Sequence, residues 1–281
     1  MRLIDGRAIA KAIAEEVADA VAGLRGTGTA PVLAVVVPAE DEAARWYVRS
    51  IQRQAAKVGI DCVVHDLAGA GAHAVADRLA GLSADGSVHG IICQTPLPDG
   101  MTLEAAGALI DPSKDVDGAN PVSLGRLAAG LPGFAPATAA AVLEILRREE
   151  VPLSGTRAVV VGRSVVVGKP AALLLLAENA TVTICHSRTK DLASVCAEGD
   201  VLVAAVGRAG LIGAAHIKSG AVVIDVGTNP TPDGGLAGDV DAGEAGAAAA
   251  LTPVPGGVGP VTTMLLMRHT VAAAGAAADR S

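Results

Sequence analysis

The chain has 281 residues, room for two domains of ordinary size, and a formal charge of −7 with a pI near 5.3. That balance argues against a nucleic-acid or anionic-membrane partner. Hydrophobic residues make up 51%, but only Trp46, Tyr47 and Phe134 are aromatic, so the cores must be built from Val, Leu, Ile and Ala. Cys62, Cys93, Cys185 and Cys196 form no C-x-x-C pair, which indicates neither a zinc site nor a disulfide framework, and no other metal site is expected. No apolar run approaches the length of a membrane span or has the form of a signal peptide, so a soluble, cytoplasmic protein is expected.

Asp5 can cap a first helix in which Ile9, Ile13, Val17, Val21 and Leu24 share a face. Gly26, Gly28 and Pro31 break the chain, and Val32 to Val37 reads as a buried strand. A helix from about Glu40 to Val58, a strand Cys62 to Leu67, a helix near Ala74 to Leu82 and a strand Gly90 to Gln94 follow. This alternation implies a parallel sheet covered by helices. After the turn Thr95 to Gly100, a helix near Leu103 to Ile110 leads into the polar loop Asp111 to Gly118. Thr138 to Glu149 reads as a connecting helix.

A second α/β unit begins at Arg157. The apolar strand Ala158 to Val161 is followed by Gly162-Arg163-Ser164-Val165-Val166-Val167-Gly168-Lys169-Pro170 and a helix to Ala177. Strand, glycine turn and helix start together make a phosphate cradle, because free backbone N–H groups and the helix dipole face an anion. The P-loop spacing fails, and Ser164 holds the place of the middle glycine in the common dinucleotide pattern. The next strand, from Ala180, ends in His186-Ser187-Arg188, where an NAD enzyme would carry an acid for the ribose. Donors and a guanidinium there, with Arg163 in the cradle, suit a 2′-phosphate and hence NADP. Strands near Val201 to Ala205 and Ala221 to Val226 continue the unit. Leu251 to Pro260 is too dense in Pro and Gly for a helix or central strand, and a last helix is expected at about Val261 to Ala276, long enough to return to the first domain.

Six segments in this order resemble the methylenetetrahydrofolate dehydrogenase/methenyltetrahydrofolate cyclohydrolase family over nearly the whole chain. They are Tyr47-Val48, Gln94 to Pro98, Lys114 to Gly118, Gly162 to Pro170, Ile224 to Asn229 and Thr252 to Pro260. The resemblance implies an N-terminal α/β substrate domain and a Rossmann-type NADP-binding domain with a cleft between them, and usually a homodimer. The corresponding division is 1–137 plus 263–281 for the folate-binding catalytic domain and 138–262 for the NADP-binding domain. It implies oxidation of the methylene bridge of a folate by NADP, then hydrolysis of the methenyl cation to 10-formyltetrahydrofolate. Carried over by position, Tyr47, Gln94 and Asp117 would be the catalytic and folate-binding set, with Pro255, Gly256 and Gly259 letting backbone approach the substrate. Gly162, Arg163, Ser164, Ser187, Thr228 and Thr262 would surround NADP, with Arg188 added from the reading of its strand end. Each residue also has a plainer use: Tyr47 as core filler, Gln94 as a surface residue, the aspartates as loop caps and the Pro/Gly run as a structural corner.

One departure stands out. The family reads Tyr-x-x-x-Lys, and that lysine is its main catalytic group. In this chain the position holds Ile51. Residues four apart share a helix face, so a lysine there would lie with Tyr47. Arg49 and Arg53 lie about 160° away around the helix and Lys57 about 120° away, while Gln54, which shares the face, is neutral. Smaller departures, Pro38-Ala39, Thr95, Pro136-Ala137-Thr138-Ala139 and Ala119-Asn120, also surround the folate side. The expectation is an NADP-dependent 5,10-methylenetetrahydrofolate dehydrogenase with cyclohydrolase activity weak or lost. The alternatives are a fully bifunctional enzyme and a folate- or NADP-binding relative without turnover.

Overall fold

A computed structural model of the chain describes residues 1–280. In chain order the elements begin with β1 (Arg2–Leu3), α1 (Gly6–Gly26), β2 (Val32–Val37), α2 (Glu42–Val58), β3 (Asp61–Asp66), α3 (Ala72–Ala84) and β4 (Gly90–Cys93). The helices α4 (Leu103–Ala108), α5 (Pro121–Ala128) and α6 (Ala137–Arg148) follow. Then come β5 (Arg157–Val161), α7 (Gly168–Ala177), β6 (Thr181–Cys185), α8 (Leu192–Cys196), β7 (Val201–Ala204) and β8 (Val222–Asp225). A short antiparallel pair, β9 (Asn229–Pro230) and β10 (Leu236–Ala237), precedes β11 (Ala250–Leu251) and α9 (Val258–Ala278). The chain forms two compact α/β units, one of Ala12–Ala137 and the residues from Thr263 onward, the other of Met1–Lys11 and Thr138–Thr262.

In the first of these units a parallel sheet runs β3-β2-β4. β2 is central and its residues Leu33 to Val37 are all buried, as a strand covered on both faces requires. α2 starts where the Asp41 carboxylate accepts from the Ala44 N–H at 2.7 Å and stops at Gly59 in the left-handed region. Its buried side chains Val48, Ile51, Ala55 and Val58 recur at helical spacing and define one core-facing stripe. α5 was not expected from the sequence. It starts where Asn120 accepts from the Val122 N–H at 2.7 Å, with Pro121 in the first turn, where an N–H has no partner to lose.

The other unit is a six-stranded parallel sheet in the order β1-β11-β8-β7-β5-β6. From β5 the chain goes to β6 on one side and then crosses to β7 on the other. The order therefore reverses at β5, and in open α/β sheets the ligand crevice opens at the carboxyl ends of the strands flanking such a point. Gly162 follows β5 directly.

Two expectations need correcting. Residues 1–11 do not group with the unit that contains β2, β3 and β4: the Arg2 and Ile4 N–H groups donate to Ala249 and Leu251 carbonyls at 2.8 and 2.9 Å, which makes β1 an edge strand of the six-stranded sheet. The Pro/Gly-rich run is also shorter than expected, because α9 already begins at Val258 and takes Gly259 and Pro260 into its first turn. That turn makes no demand on the proline nitrogen. Beyond it Val261, Met264, Leu265, Leu266, Met267, Val271, Ala273 and Ala274 are buried, the pattern of a helix covered nearly all round.

Candidate active site

In the first unit, the loop after α4 sorts its two aspartates into different jobs. Asp115 is buried, and its carboxylate accepts from the Ala119 and Asn120 N–H groups, each at 2.8 Å, and from the Ser123 hydroxyl at 2.6 Å. It is a structural brace, as the plain reading of a loop cap proposes. Asp117 is different. Its carboxylate accepts no hydrogen bond among the described residues, and it is half-buried. Burial, and secondly the neighbouring Asp115 charge, push its pKa up to about 7. The backbone at this point is fixed from several directions. The Ala137 N–H donates to the Asp117 carbonyl at 3.4 Å, and His269 Nδ1 lies 2.8 Å from the Val116 carbonyl oxygen. Gly118 has φ +67°, and a Cβ on it would lie 2.4 Å from the Pro136 nitrogen, so no other residue fits without movement.

Tyr47, half-buried on α2, is electrostatically coupled to Asp117. Burial chiefly, and then the Asp117 charge, raise its pKa, while a side-chain hydrogen bond with Thr263 works the other way. The structure therefore brings Tyr47, Asp117 and Thr263 together; Thr263 was not singled out from the sequence. Gln94 follows β4 directly, where its N–H donates to the Val36 carbonyl at 2.9 Å, and it is half-buried. Ile51, one helical turn after Tyr47, is fully buried. The cationic side chains of α2, Arg45, Arg49, Arg53 and Lys57, are all exposed, and Gln54 is half-buried.

His269 was also missed. Burial lowers its pKa to about 4, so the ring is neutral at pH 7. A carbonyl oxygen can only accept, so Nδ1 carries the proton and donates to Val116. The Phe134 ring packs on the imidazole with centroids 5.0 Å apart.

On the nucleotide side, Gly162 has φ +133°, and a Cβ there would lie 2.1 Å from the Ala205 carbonyl oxygen. The Ser164 hydroxyl accepts from the Val167 and Gly168 N–H groups at 3.1 and 3.4 Å, and its carbonyl accepts from the Lys169 N–H at 3.0 Å. The N–H groups of Arg163, Ser164, Val165 and Val166 donate to no protein acceptor among the described residues. Arg163 and Ser164 are exposed. This is an anion-ready loop: open donors, a helix N-terminus behind them, and no carboxylate across the opening turn of α7. Gly162→Ala is expected to lower the melting temperature by several degrees and raise the KM for the dinucleotide more than tenfold, measured by thermal shift and initial rates.

The turn after β6 is held from within, with the His186 N–H donating to the Thr189 hydroxyl at 2.8 Å and the Arg188 N–H to His186 Nδ1 at 3.1 Å. Ser187 and Arg188 are left exposed. The Arg188 guanidinium has no ion-pair partner among the described residues. Arg188→Ala is therefore expected to raise the KM for NADP+ about tenfold and leave that for NAD+ within twofold, a change in cofactor preference read from paired kinetics.

Thr228 is exposed just beyond β8, and Thr262 is buried with its hydroxyl bonded to the Val258 carbonyl at 3.2 Å. Pro255 is exposed, Gly256 has φ +109°, and a Cβ on Gly259 would meet no atom within 4 Å. A buried pair unmarked by the sequence reading organises this region. Asp225 accepts from the Gly227, Asp239 and Val240 N–H groups, each at 2.9 Å. Asp239 accepts from the Val206, Gly207 and Arg208 N–H groups at 2.6–3.0 Å and from the Asn229 side chain at 2.9 Å. The two carboxylates thus pin the loops that follow β7 and β8. Their signal was present in the sequence as Asp-Val after an apolar strand and Asp-Val after Gly238, but a buried acid is indistinguishable there from a turn residue. Among the described residues no His, Cys, Asp and Glu cluster could hold a metal ion, and no helix is long and apolar enough to cross a membrane.

Residues 4–117 match the catalytic domain of the tetrahydrofolate dehydrogenase/cyclohydrolase family, and residues 136–278 match its NAD(P)-binding domain. A Parafrankia protein named bifunctional protein FolD is 66% identical over 98% of this chain and 100% of its own length. A Saccharopolyspora erythraea protein, bifunctional protein FolD 1, is 58% identical over 97% of this chain and 94% of its own. The crystal structure of the bifunctional FolD dehydrogenase/cyclohydrolase from Campylobacter jejuni superposes with a TM-score of 0.95 at 37% identity, covering 98% of this chain and 99% of that one. The Trypanosoma brucei dehydrogenase-cyclohydrolase, solved with NADP cofactor and an inhibitor, gives 0.93 at 38% identity, covering 99% and 98%. With both family domains matched in order and relatives this similar along their full lengths, the chain belongs to the tetrahydrofolate dehydrogenase/cyclohydrolase family.

Proposed function

We propose that this protein is an NADP-dependent 5,10-methylenetetrahydrofolate dehydrogenase in which the cyclohydrolase step is weak or lost. The observation that carries the reading is Ile51: the residue one turn from Tyr47 is a fully buried hydrocarbon, and every cation on α2 is exposed. The open donors of the Gly162–Gly168 loop and the free Ser187 and Arg188 side chains fit a dinucleotide bearing a 2′-phosphate, in keeping with the NADP held by the trypanosomal relative. When bound, NADP+ supplies the hydride acceptor.

The protein's own part is positioning. The Asp117 carboxylate, without a protein donor of its own, is suited to accept two N–H bonds from the amino edge of a pterin. Tyr47, braced by Thr263, supplies a ring face beside it, and Gln94, just past the end of β4, is assigned to the same substrate in this reading. Removing hydride from the methylene bridge requires the two carbons to be held in line and needs no proton carrier. Hydrolysis of the methenyl cation requires a delivered water and moved protons, work that general acid–base catalysis accelerates 10²–10⁴-fold. An isoleucine at that position can do neither. Pro255, Gly256 and Gly259 complete the substrate-binding set in this reading, and the protein acts as a cytoplasmic homodimer.

The second reading is a fully bifunctional enzyme giving 10-formyltetrahydrofolate, favoured by the name carried by the Parafrankia relative. The two part on one assay. Purified protein is given 5,10-methenyltetrahydrofolate alone, and loss of its absorbance is compared with the spontaneous rate. Loss within about twofold of the uncatalysed rate is expected; a rate hundreds of times faster establishes the bifunctional reading.

A further inference from the structure

α9 reaches Tyr47 and the residue next to Asp117. Thr263, in its second turn, hydrogen-bonds Tyr47 directly. His269, further along, reaches the Val116 carbonyl with its Nδ1–H at 2.8 Å, one peptide before Asp117. Val116 is fully buried, so its carbonyl has no water to replace that donor. The backbone bond to the Asp117 carbonyl itself, from Ala137, is long at 3.4 Å. The imidazole is held in place by Phe134. Resting on the reading of Asp117 as the pterin anchor, we propose that His269 is a positioning residue for the folate: its Nδ1–H clamps the Val116 carbonyl and thereby fixes where the Asp117 carboxylate stands.

The imidazole separates into two parts that can be exchanged one at a time. His269→Phe keeps the ring against Phe134 and removes the donor. His269→Asn removes the ring but puts an amide nitrogen where Nδ1 was, since both atoms are attached to Cγ. The expected result is that the Phe variant raises the KM for methylenetetrahydrofolate about tenfold, with the NADP+ KM unchanged, and that the Asn variant keeps the folate KM within about twofold of wild type. KM does not depend on how much of a preparation is folded, so lost stability alone leaves this pattern untouched. A Phe variant with the wild-type folate KM, or Phe and Asn variants raised equally, would overturn the proposal. If the Phe variant yields no folded protein, the Asn variant decides: a near-native folate KM supports the clamp and a tenfold rise refutes it. Asp117→Asn is measured alongside. If it leaves the folate KM unchanged, the anchor reading itself fails and the clamp falls with it; if it raises the KM while His269→Phe does not, only the clamp is wrong.

Discussion

Replacing Ile51 with lysine is expected to raise cyclohydrolase turnover by at least about 10²-fold, the low end of what a positioned acid–base group contributes. The side chain leaves α2 one turn after Tyr47 and on the same helix face, so an ammonium there is expected to serve the site that Tyr47 belongs to. The same substitution puts a charge where a fully buried hydrocarbon packs, at a cost of roughly 3 kcal/mol. Desolvation lowers the pKa of such a lysine, and the Asp117 charge opposes that shift, which together suit a group that must exchange protons near neutral pH. Methenyltetrahydrofolate loss and melting temperature should therefore move in opposite senses: faster hydrolysis from a less stable protein. Ile51→Met, which keeps an apolar side chain of similar volume, should change neither by much. A folded lysine variant with no gain in hydrolysis would show that the isoleucine is not what limits the second step.

Asp117→Asn is expected to lower kcat/KM for the folate about 10²-fold, roughly 3 kcal/mol, the worth of two charge-assisted hydrogen bonds reduced to neutral ones. The effect has a pH signature. With its pKa pushed up to about 7, Asp117 is mostly protonated at pH 6 and mostly ionised at pH 8. Wild-type kcat/KM for the folate should therefore rise across that interval with a midpoint near 7, and the asparagine variant should be flat there. Stability runs the other way. The folded protein holds a proton that the unfolded chain, with a carboxylate pKa of 3.8, releases. Between about pH 4 and 7 the native state thus binds more protons, and this group's contribution is lost as pH rises through the window. Denaturant unfolding at a series of pH values should show that slope in wild type and lack it in Asp117→Asn.

The sheet-forming elements were legible because their signals are local. Val32 to Val37 and Ala158 to Val161 are apolar runs ended by turn residues, and Gly162 sits where only a strand–turn–helix junction needs it. α5 escaped because its start depends on Asn120 capping a proline turn inside what otherwise reads as one long polar loop. β1 and β11 escaped for a different reason: two-residue strands carry no periodicity, and their pairing joins residues 2–3 to 250–251. Tyr47, Asp117 and the Gly162 loop were singled out from the sequence by position alone. The division of labour between Asp115 and Asp117 was not, because both are aspartates in one polar loop close to Gly118, and only the hydrogen bonds from Ala119, Asn120 and Ser123 mark Asp115 as the brace. Thr263 and His269 were hidden in a helix whose composition reads as pure packing, and they act on residues far away in sequence.

The most direct test of the account is a single time course. Purified protein is mixed with 5,10-methylenetetrahydrofolate and NADP+, and NADPH and the methenyl product are followed separately. The account predicts that methenyltetrahydrofolate accumulates in step with NADPH, decaying only at its spontaneous rate. NADPH formed while methenyl compound never builds up would contradict it, and would mean that hydrolysis proceeds on this fold without the group that Ile51 replaces.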